Sequence, residues 1–518
     1  MPNAEYTTGL GTPDALGTFH TFTLFTEPYH ALVGGFTEMG GRVERLEFKN
    51  GVAVAKLAGP PGKFKRELWE QWEAGKLANM PREEIAIEVR RADGAVTLTF
   101  PAEQNIAPIT LKVGQWTEHL RLHFMLGGMM RYPGLAKFKL LEGGNAVRLY
   151  ATPVTFDPLE VPAPFRVSTP PDFAAELAHK HGDYTTLGWP EATSALNDGA
   201  IDDQTFLETC EHIFTERKKQ WLAILDKPGE WDMAACFFYD IDRICHMMWR
   251  HFDPKHPAHD AVAAAQFKDK IRDAYERSDK LVGEVLKRLP GDTVLLICSD
   301  HGFLPFYRAV NLNAWLIQEG YAVLKGEAND ATMRDLFTDK SEFFGEFDWS
   351  KTRAYAMGLG KIYINTRGRE PSGIVAPKDA PALMDEIKAR LEALRDGDKR
   401  VVHEVFRARD IWQDWGGGVP RDESDLEVGF ADGYRISWQN TLGGTNEPVI
   451  SDNLRNWSGD HCTFAPELVP GVVFSNRKLQ AGGKGFRLID VGDTVLKHFG
   501  VDPAHDRGHF DGDGWTVQ

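Results

Sequence analysis

The chain has 518 residues, a net charge of −16 and an ordinary globular composition, with 42% hydrophobic and 26% charged residues. This composition excludes wholesale disorder, because there are enough apolar residues to build a buried core. The acidic balance excludes a general nucleic-acid coat protein, which needs a basic face, although bound cations can make an acidic protein receptive to phosphate. Length alone allows roughly three domains or one enlarged enzyme.

The N-terminal segment and the cysteines indicate the compartment. Residues 1–14 lack both the basic region and the apolar stretch of a secretory signal. The longest apolar runs, such as residues 294–298, are far too short to span a bilayer. The five cysteines show no CxxC pair, which is typical of reduced, buried thiols. We therefore predict a cytoplasmic protein with no membrane span.

The first third of the chain is predicted to be rich in β-strands. Residues 42–57 and 85–100 alternate apolar and polar side chains around Asn50-Gly51 and Asp93-Gly94, which are pairs typical of hairpin turns. Further strands are predicted at residues 119–124, 137–141 and 146–154. We expect residues 18–160 to form a β-rich insertion or accessory region, followed by a proline-rich linker.

The pattern changes after residue 160 to alternating helices and apolar runs. Residues 234–239 and 293–299 are apolar runs of strand length, and the amphipathic stretch 261–289 between them is predicted as one helix. Such apolar runs are typical of buried parallel strands, and strand, helix, strand is a βαβ unit. Further helices are predicted at residues 203–225, 380–394 and 490–499, and a strand at 471–475. The pattern predicts an α/β core over residues 161–518.

Acidic residues and histidines follow the two predicted strands. Asp242 and His246 are four residues apart, so on a helix they share one face and could grip one divalent ion. Asp300 and His301 end the second strand, where ligands of open parallel sheets bind. His461, in a loop-like segment, could complete a site begun by Asp242 and His246. Each element alone is more typical of a surface ion pair, a cap or a turn, so the hypothesis rests on their combination.

Two arginines near these motifs are candidate phosphate ligands. A guanidinium can bind phosphate oxygens in a bidentate way, which suits Arg243 and Arg308. The alternative for both is a surface ion pair. For Arg435 and Trp438 the sequence leaves two roles open, which are contact with the substrate and packing within the protein.

Several stretches of the chain are similar to one known family. They are FFYDIDRICHMMWRHFDPKHP (237–257), LLICSDHGFLPFYRAVNLNAWLIQEGY (295–321), GKIYINTRGREPSGIV (360–375), DLEVGFADGYRISW (425–438), NWSGDHCTFAPELVPGVVFSN (456–476) and LIDVGDTVLKHFGV (488–501). These stretches resemble the alkaline phosphatase superfamily, specifically its type I phosphodiesterase/nucleotide pyrophosphatase-like branch. The resemblance implies an alkaline-phosphatase-like α/β fold with a doubly wound, mostly parallel sheet and a two-metal hydrolytic site.

The resemblance also implies roles for individual residues. Asp242, His246 and His461 match the ligands of one metal ion, and Asp300 and His301 match ligands of a second. Zinc is the usual ion for such ligands, and manganese is an alternative. Two adjacent cations can clamp a phosphoryl group. We therefore predict a metal-dependent phosphohydrolase for phosphodiesters or phosphate monoesters, with a phosphorylated small molecule as substrate.

Two expected parts of such a site are not assigned by the sequence. They are an aspartate at the end of the first strand and a Ser or Thr nucleophile at a helix N-terminus. Thr7 and Thr8 stand in a turn-like context instead, and residues 9–14 resemble a segment downstream of the nucleophile. Residues 1–17 are therefore interpreted as a remnant of the catalytic core.

Three explanations of these missing parts are open. The chain is truncated, or an oligomer or partner chain supplies the missing half-site, or the protein is a degenerate relative that binds metal, ligand or a partner without turnover. A parallel sheet without its first strand would expose an apolar edge, which favours the first two. A sulfatase or phosphonate hydrolase of the same superfamily is a further alternative.

Overall fold

The computed structural model describes most of the chain as a mixed α/β protein. The described residues are 7–8, 21–28, 41–61, 71, 74, 82–126, 130–162, 165–326, 344–411, 422–445, 448–482, 485–502, 512 and 514–518.

Short strands fill the first third of the chain. They are β1 Thr7–Thr8, β2 Thr23–Glu27, β3 Arg42–Arg45, β4 Val52–Pro61, β5 Arg82–Ala92, β6 Ala95–Thr99, β7 Ile109–Lys112, β8 Leu120–Leu126, β9 Met130–Ala136, β10 Phe138–Glu142, β11 Val147–Ala151, β12 Thr155–Phe156 and β13 Ser168–Thr169. The sheets β4-β5-β6-β7, β12-β9-β8 and β10-β11-β2-β3 share an apolar core that includes Phe25, Ile87 and Phe138. The region is β-rich as predicted, and its boundary at residues 18–160 stays a prediction.

The two predicted hairpin turns have different outcomes. The Asp93-Gly94 turn is confirmed, because β5 and β6 pair antiparallel with Ala92 opposite Ala95. At Asn50-Gly51 the chain does turn, and both residues have positive φ. However, the strand before the turn does not pair with β4 along its length. That strand, β3, instead pairs in parallel with β2 at the edge of another sheet.

Six helices come first after residue 170, and groups of short strands then alternate with single helices. The helices are α1 Phe173–His181, α2 Thr193–Asn197, α3 Asp203–Leu225, α4 Asp240–Phe252, α5 Ala261–Phe267, α6 Lys270–Leu286, α7 Leu312–Gln318, α8 Ala380–Glu392, α9 Ala408–Ile411 and α10 Asp490–His498. The strands are β14 Leu296–Cys298, β15 Leu304–Val310, β16 Ala354–Met357, β17 Lys361–Ile364, β18 Arg395–Asp396, β19 Lys399–Arg400, β20 Val402–Arg407, β21 Leu426–Phe430, β22 Gly433–Ile436, β23 Ile450–Asp452, β24 Gly459–Asp460, β25 Val473–Ser475, β26 Leu479–Gln480 and β27 Thr516–Val517. This alternation confirms the mixed α/β class.

The doubly wound, mostly parallel sheet is not confirmed by these pairings. Among the described strands of this part, β15 and β22 pair in parallel, whereas β14-β25, β15-β23 and β16-β17-β21-β20 are antiparallel. An apolar run shows that a strand is covered on both faces, but it does not specify the direction of the neighbouring strand. The apolar runs therefore predicted the mixed α/β class, whereas they did not predict the direction in which neighbouring strands pair.

Two local predictions differ from the structure. The apolar run 234–239 has no regular secondary structure and pairs with no strand, so the strand predicted there is wrong. The stretch 261–289 forms two helices, because α5 ends before Lys268 and α6 begins after Asp269. Neither Gly nor Pro marks this break, so periodicity alone joins the two helices. The helices predicted at 203–225, 380–394 and 490–499 are confirmed as α3, α8 and α10.

The N-terminal remnant is described only at Thr7 and Thr8. Their backbone forms β1, antiparallel to β13, rather than the predicted turn. The motif at residues 9–14 lies outside the described residues. In the described parts of the chain, we find no helix that combines the length and the hydropathy needed to cross a bilayer.

Candidate metal centre

Helix α4 carries the first two predicted ligands on one face. Asp242 and His246 are one turn apart, with 3.5 Å between Asp242 Oδ1 and His246 Nε2. The Asp242 carboxylate lies in the first turn of the helix, where the positive end of the helix dipole stabilises negative charge. The spacing seen in the sequence therefore produces the expected geometry.

Two further histidines reach the same carboxylate oxygen from distant loops. His301, in the loop after β14, places its Nε2 atom 3.8 Å from Asp242 Oδ1. His461, directly after β24, places its Nε2 atom 3.6 Å from the same oxygen. Three imidazole nitrogens thus surround Asp242 Oδ1. The ligand atoms of Asp242, His246 and His461 all lie within 4.8 Å of one another.

Hydrogen bonds at Nδ1 orient the imidazole rings of His246 and His301 so that Nε2 lies near Asp242. His246 Nδ1 lies 2.7 Å from Gly459 O, and His301 Nδ1 lies 3.0 Å from Gly302 O. Because a carbonyl oxygen only accepts, each Nδ1 carries a proton, and Nε2 is the ring nitrogen left to bind a cation. Backbone bonds of this kind commonly orient metal-binding histidines.

The Asp242 Oδ1 atom is buried and has no hydrogen-bond partner. The other oxygen, Oδ2, accepts from Arg243 Nη1 at 2.6 Å. Burial raises the pKa of Asp242 to about 6 and lowers the pKa of His461 to about 4. Burial also lowers the pKa of His246 well below its usual range. Imidazole nitrogens that converge on a buried carboxylate oxygen without a hydrogen-bond partner fit a cation.

Aromatic packing holds the rings in place. His301 and His461 are stacked with centroids 3.4 Å apart and planes at 10°. Trp457 packs against His246 with a centroid distance of 3.8 Å, and Phe303 contacts all three histidines at its edges. Side chains held by such packing keep their geometry before any ligand binds.

Asp460 and Arg435 form a buried ion pair beneath the His461 loop. Asp460 accepts from Arg435 Nε at 2.8 Å, from Trp457 Nε1 at 2.6 Å and from the backbone amides of His461 and Cys462 at 2.7 Å each. Burial opposes ionisation, but the Arg435 charge outweighs it and holds the pKa of Asp460 well below its usual range.

The side chains of Asp460, His461 and Cys462 form a second group that could hold a metal ion. We discount it because both Asp460 oxygens are already hydrogen-bonded, and because burial raises the pKa of the Cys462 thiol to about 12. Asp460 positions His461 rather than acting as a ligand. The sequence analysis missed this role, although the acidic neighbour of His461 and the arginine in residues 433–438 were its visible signals.

Asp300 lies at the open side of the cluster. Its Oδ2 atom is 3.5 Å from His301 Nε2, and its side chain is 75% exposed. The structure therefore brings all five predicted ligands together, with Asp300 as the exposed member.

The two candidate phosphate ligands lie in different places. Arg243 lies beside Asp242 and stacks over Trp189 at 3.3 Å from the ring centroid. Arg308 instead binds Asp396 at 2.9 Å and also Asp452, which is the ion-pair alternative. Arg435 is engaged by Asp460, as described above.

A mixed α/β chain with a partly buried cluster of one carboxylate and three imidazoles has the residue types of a hydrolytic metal centre. A family model of type I phosphodiesterase / nucleotide pyrophosphatase matches residues 164–437, which is more than half of the chain. The chain therefore belongs to this family, and the resemblance inferred from its motifs is confirmed. The matched span includes Asp242, His246, Asp300 and His301, whereas His461 lies beyond it. Comparisons with curated proteins and with solved structures found no match.

Proposed function

We propose that this protein is a metal-dependent hydrolase of phosphodiesters or phosphate monoesters. Membership of the family supports a hydrolase of the phosphodiesterase or pyrophosphatase type. The observation that carries the metal dependence is the buried Asp242 Oδ1, which has no hydrogen-bond partner and lies within 4 Å of three imidazole Nε2 atoms.

The residues present fit two divalent ions. Asp242, His246 and His461 would hold one ion, and Asp300 with His301 would hold the second. Nitrogen and oxygen ligands suit zinc, with manganese as the alternative. When bound, such ions neutralise and polarise a phosphoryl group and activate the attacking oxygen.

Residues of the chain would orient the substrate and the ligands. Arg243 favours the ionised form of Asp242 through its 2.6 Å bond to Oδ2, which opposes the effect of burial, and its position beside the cluster suits contact with a phosphate oxygen. Asp460 fixes the backbone of His461. Arg308 is excluded from this proposal, because Asp396 and Asp452 already occupy its guanidinium.

The serines next to the ligands in sequence are not suited to act as the nucleophile. Ser299 Oγ accepts from Val472 N at 2.8 Å, and Ser458 Oγ accepts from Arg250 N at 3.0 Å. Both hydroxyls therefore have structural partners. The proposal assigns ligands to the described residues and leaves the nucleophile unassigned.

A second candidate function is metal or ligand binding, or assembly with a partner, without turnover. The exposure of Asp300 favours it, because a catalytic carboxylate usually lies in a site that excludes water. Metal content and hydrolysis measured on the same sample separate the two functions.

The experiment is metal analysis combined with hydrolysis of aryl phosphate monoesters and diesters, with zinc or manganese added. We expect bound metal and hydrolysis in the native chain, and loss of hydrolysis together with a lower metal content in His461→Ala and in Asp300→Ala, because each variant removes a ligand of one ion. His403→Ala is the matched control, because His403 forms a separate pair with Glu467. Stoichiometric metal without hydrolysis would favour the second function, and absence of metal binding would contradict the proposed metal-dependent hydrolase.

A further inference from the structure

Glu191 is a buried acid that does not belong to the candidate ligand set. It lies two residues before helix α2, and it is 1% exposed. Neither of its carboxylate oxygens has a hydrogen-bond partner among the described residues. Burial of a carboxylate costs free energy unless hydrogen bonds or an opposite charge compensate for the lost water. A positive charge is therefore expected beside Glu191.

Arg243 supplies this charge. Its Nε atom lies 3.9 Å from Glu191 Oε2, and this nitrogen is itself buried without a hydrogen-bond partner. Burial raises the pKa of Glu191, and the charges of Arg217 and Arg243 oppose this effect. Glu191 and the Nε side of Arg243 are thus two buried groups of opposite charge that face each other.

The loop that carries Glu191 contacts Arg243 at two points. Trp189 lies against the face of the guanidinium, 3.3 Å from its central carbon to the ring centroid, and Glu191 faces its Nε edge. The backbone of this loop is held to helix α3, because Ala192 N donates to Thr209 Oγ1 at 3.3 Å. One loop, fixed to the core of the protein, therefore determines both the tilt and the rotation of the guanidinium.

These contacts leave one nitrogen of Arg243 for a substrate. Nη1 donates to Asp242 Oδ2 at 2.6 Å, and Nε faces Glu191. In the part of the chain that the structure describes, Nη2 donates to no other residue, and it is not fully buried. The guanidinium is rigid and planar, so fixing Nη1 and Nε also fixes the direction of Nη2.

We propose that Glu191 is a positioning residue, which orients the Arg243 guanidinium so that Nη2 meets a phosphate oxygen of the substrate. Glu191 does not line the cleft that Trp189 and Arg243 share with the candidate metal centre, so it acts through Arg243 and not on the substrate. The contribution to hydrolysis rests on the proposed function, whereas the orientation of Arg243 by Glu191 does not. The alternative is a structural role, in which Glu191 only fills space beside Arg243.

The test replaces Glu191 in two ways. Glu191→Met has a side chain of similar length without an oxygen to accept from Nε, whereas Glu191→Gln keeps an oxygen acceptor without the charge. Arg243→Lys and the double variant Glu191→Met/Arg243→Lys complete a double-mutant cycle. Glu427→Gln is the matched control, because Glu427 is also fully buried but pairs with Lys361.

Hydrolysis of an aryl phosphate by the zinc-loaded chain at pH 8 measures KM and kcat. We expect Glu191→Met to raise KM about tenfold and Glu191→Gln about threefold, with little change in kcat, because the contact of Arg243 with phosphate is made before the reaction. In the Arg243→Lys background, Glu191→Met has no further effect, since Glu191 acts through the guanidinium. Glu427→Gln leaves KM unchanged.

Nuclear magnetic resonance of the arginine Nε–H groups tests the orientation of Arg243 in metal-free protein. The signal of Arg243 is identified by its loss in Arg243→Lys. We expect a high heteronuclear NOE and slow exchange with water in the native chain. In Glu191→Met we expect a lower NOE and faster exchange, because Nε has lost the group that restrains it.

Several results would overturn the proposal. Additive changes in KM for Glu191→Met and Arg243→Lys, or equal changes for the methionine and glutamine variants, would identify a structural role. An Arg243 Nε–H signal that Glu191→Met does not affect would overturn it as well. If Glu191→Met does not fold, Glu191→Gln takes its place in the cycle and in the resonance measurement. A native chain without hydrolysis would contradict the proposed function alone, and the resonance measurement would then decide whether Glu191 orients Arg243.

Discussion

Asp242 Oδ1 lies 3.6 Å from His461 Nε2, although the first residue belongs to helix α4 and the second follows strand β24 near the C-terminal end of the chain. The approach depends on contacts between these two elements. His246 donates to Gly459 O, and Ser458 N donates to His246 O at 2.7 Å. The metal centre and the packing of α4 against β24 are therefore one structural unit, and four predictions follow from this relationship.

The first prediction concerns metal-linked stability. Zinc at about one hundred times its Kd is expected to raise the free energy of unfolding by about 2.7 kcal/mol, because it binds the folded chain. His461→Ala is expected to abolish this increase, as followed by thermal unfolding with and without chelator. The His403→Ala control retains it. An increase of the same size in both variants would show that the ion binds elsewhere.

The second prediction concerns the pH dependence of the metal-free chain. The folded-state pKa of Asp242, about 6, lies above the ordinary value, so its ionised form destabilises the fold above that pH. Asp242→Asn is expected to raise the free energy of unfolding by about 1–3 kcal/mol above pH 7. The difference in the free energy of unfolding between Asp242→Asn and the native chain shrinks as the pH falls through about 6, because native Asp242 is then protonated.

Urea unfolding in chelator at several pH values measures this difference. Comparison of the two proteins cancels the opposing contribution of the buried histidines, whose lowered pKa values destabilise the fold at acid pH. A difference that does not vary between pH 5 and pH 8 would contradict the assignment.

The third prediction concerns the buried ion pair. Arg435→Met leaves the Asp460 charge buried and unpaired, so we expect a loss of about 3–5 kcal/mol in the free energy of unfolding. Arg308→Met removes a more exposed pair and is expected to cost about 0–1 kcal/mol. Urea unfolding measures both. Equal losses in the free energy of unfolding for Arg435→Met and Arg308→Met would mean that the Asp460 charge does not depend on Arg435.

The fourth prediction concerns the contact between α4 and β24. A Cβ atom at Gly459 would lie 2.7 Å from Cys245 O and 2.9 Å from the Trp249 ring. Gly459→Ala is therefore expected to cost about 1–3 kcal/mol and to weaken zinc binding, because it moves the carbonyl that orients His246. Isothermal titration with zinc measures the second effect.

Gly283→Ala is the matched control for this change. Gly283 lies within α6 and has open space at the Cβ position, so alanine is expected to stabilise the helix by about 0.4–1 kcal/mol. Unchanged zinc affinity in Gly459→Ala would contradict the prediction, because it would show that the contact between α4 and β24 does not affect the candidate metal centre.

The grouping of the candidate ligands was predictable where it depends on local structure. The spacing of Asp242 and His246 determines that both lie on one helix face, whatever the rest of the chain does. The position of Asp300 and His301 after an apolar run likewise follows from the strand that precedes them. The family motifs then connected His461 to this set.

The remaining features depend on partners that are distant in sequence. The pairing of β14 with β25 places Ile297 opposite Phe474, and no local pattern specifies that antiparallel choice. The Arg435–Asp460 pair joins two residues that are each unremarkable in sequence. The unpaired stretch 234–239 was predicted as a strand because its apolar composition is that of a strand. Composition does not show whether a neighbouring strand is present to pair with it.

The central claim is that Asp242, His246 and His461 bind a divalent ion, and zinc K-edge X-ray absorption on the zinc-loaded chain tests it most directly. The account predicts a first shell of nitrogen and oxygen at about 2.0–2.2 Å, with the outer-shell scattering of imidazole. A sulfur shell at about 2.3 Å would place the ion on a cysteine such as Cys462 and contradict the account.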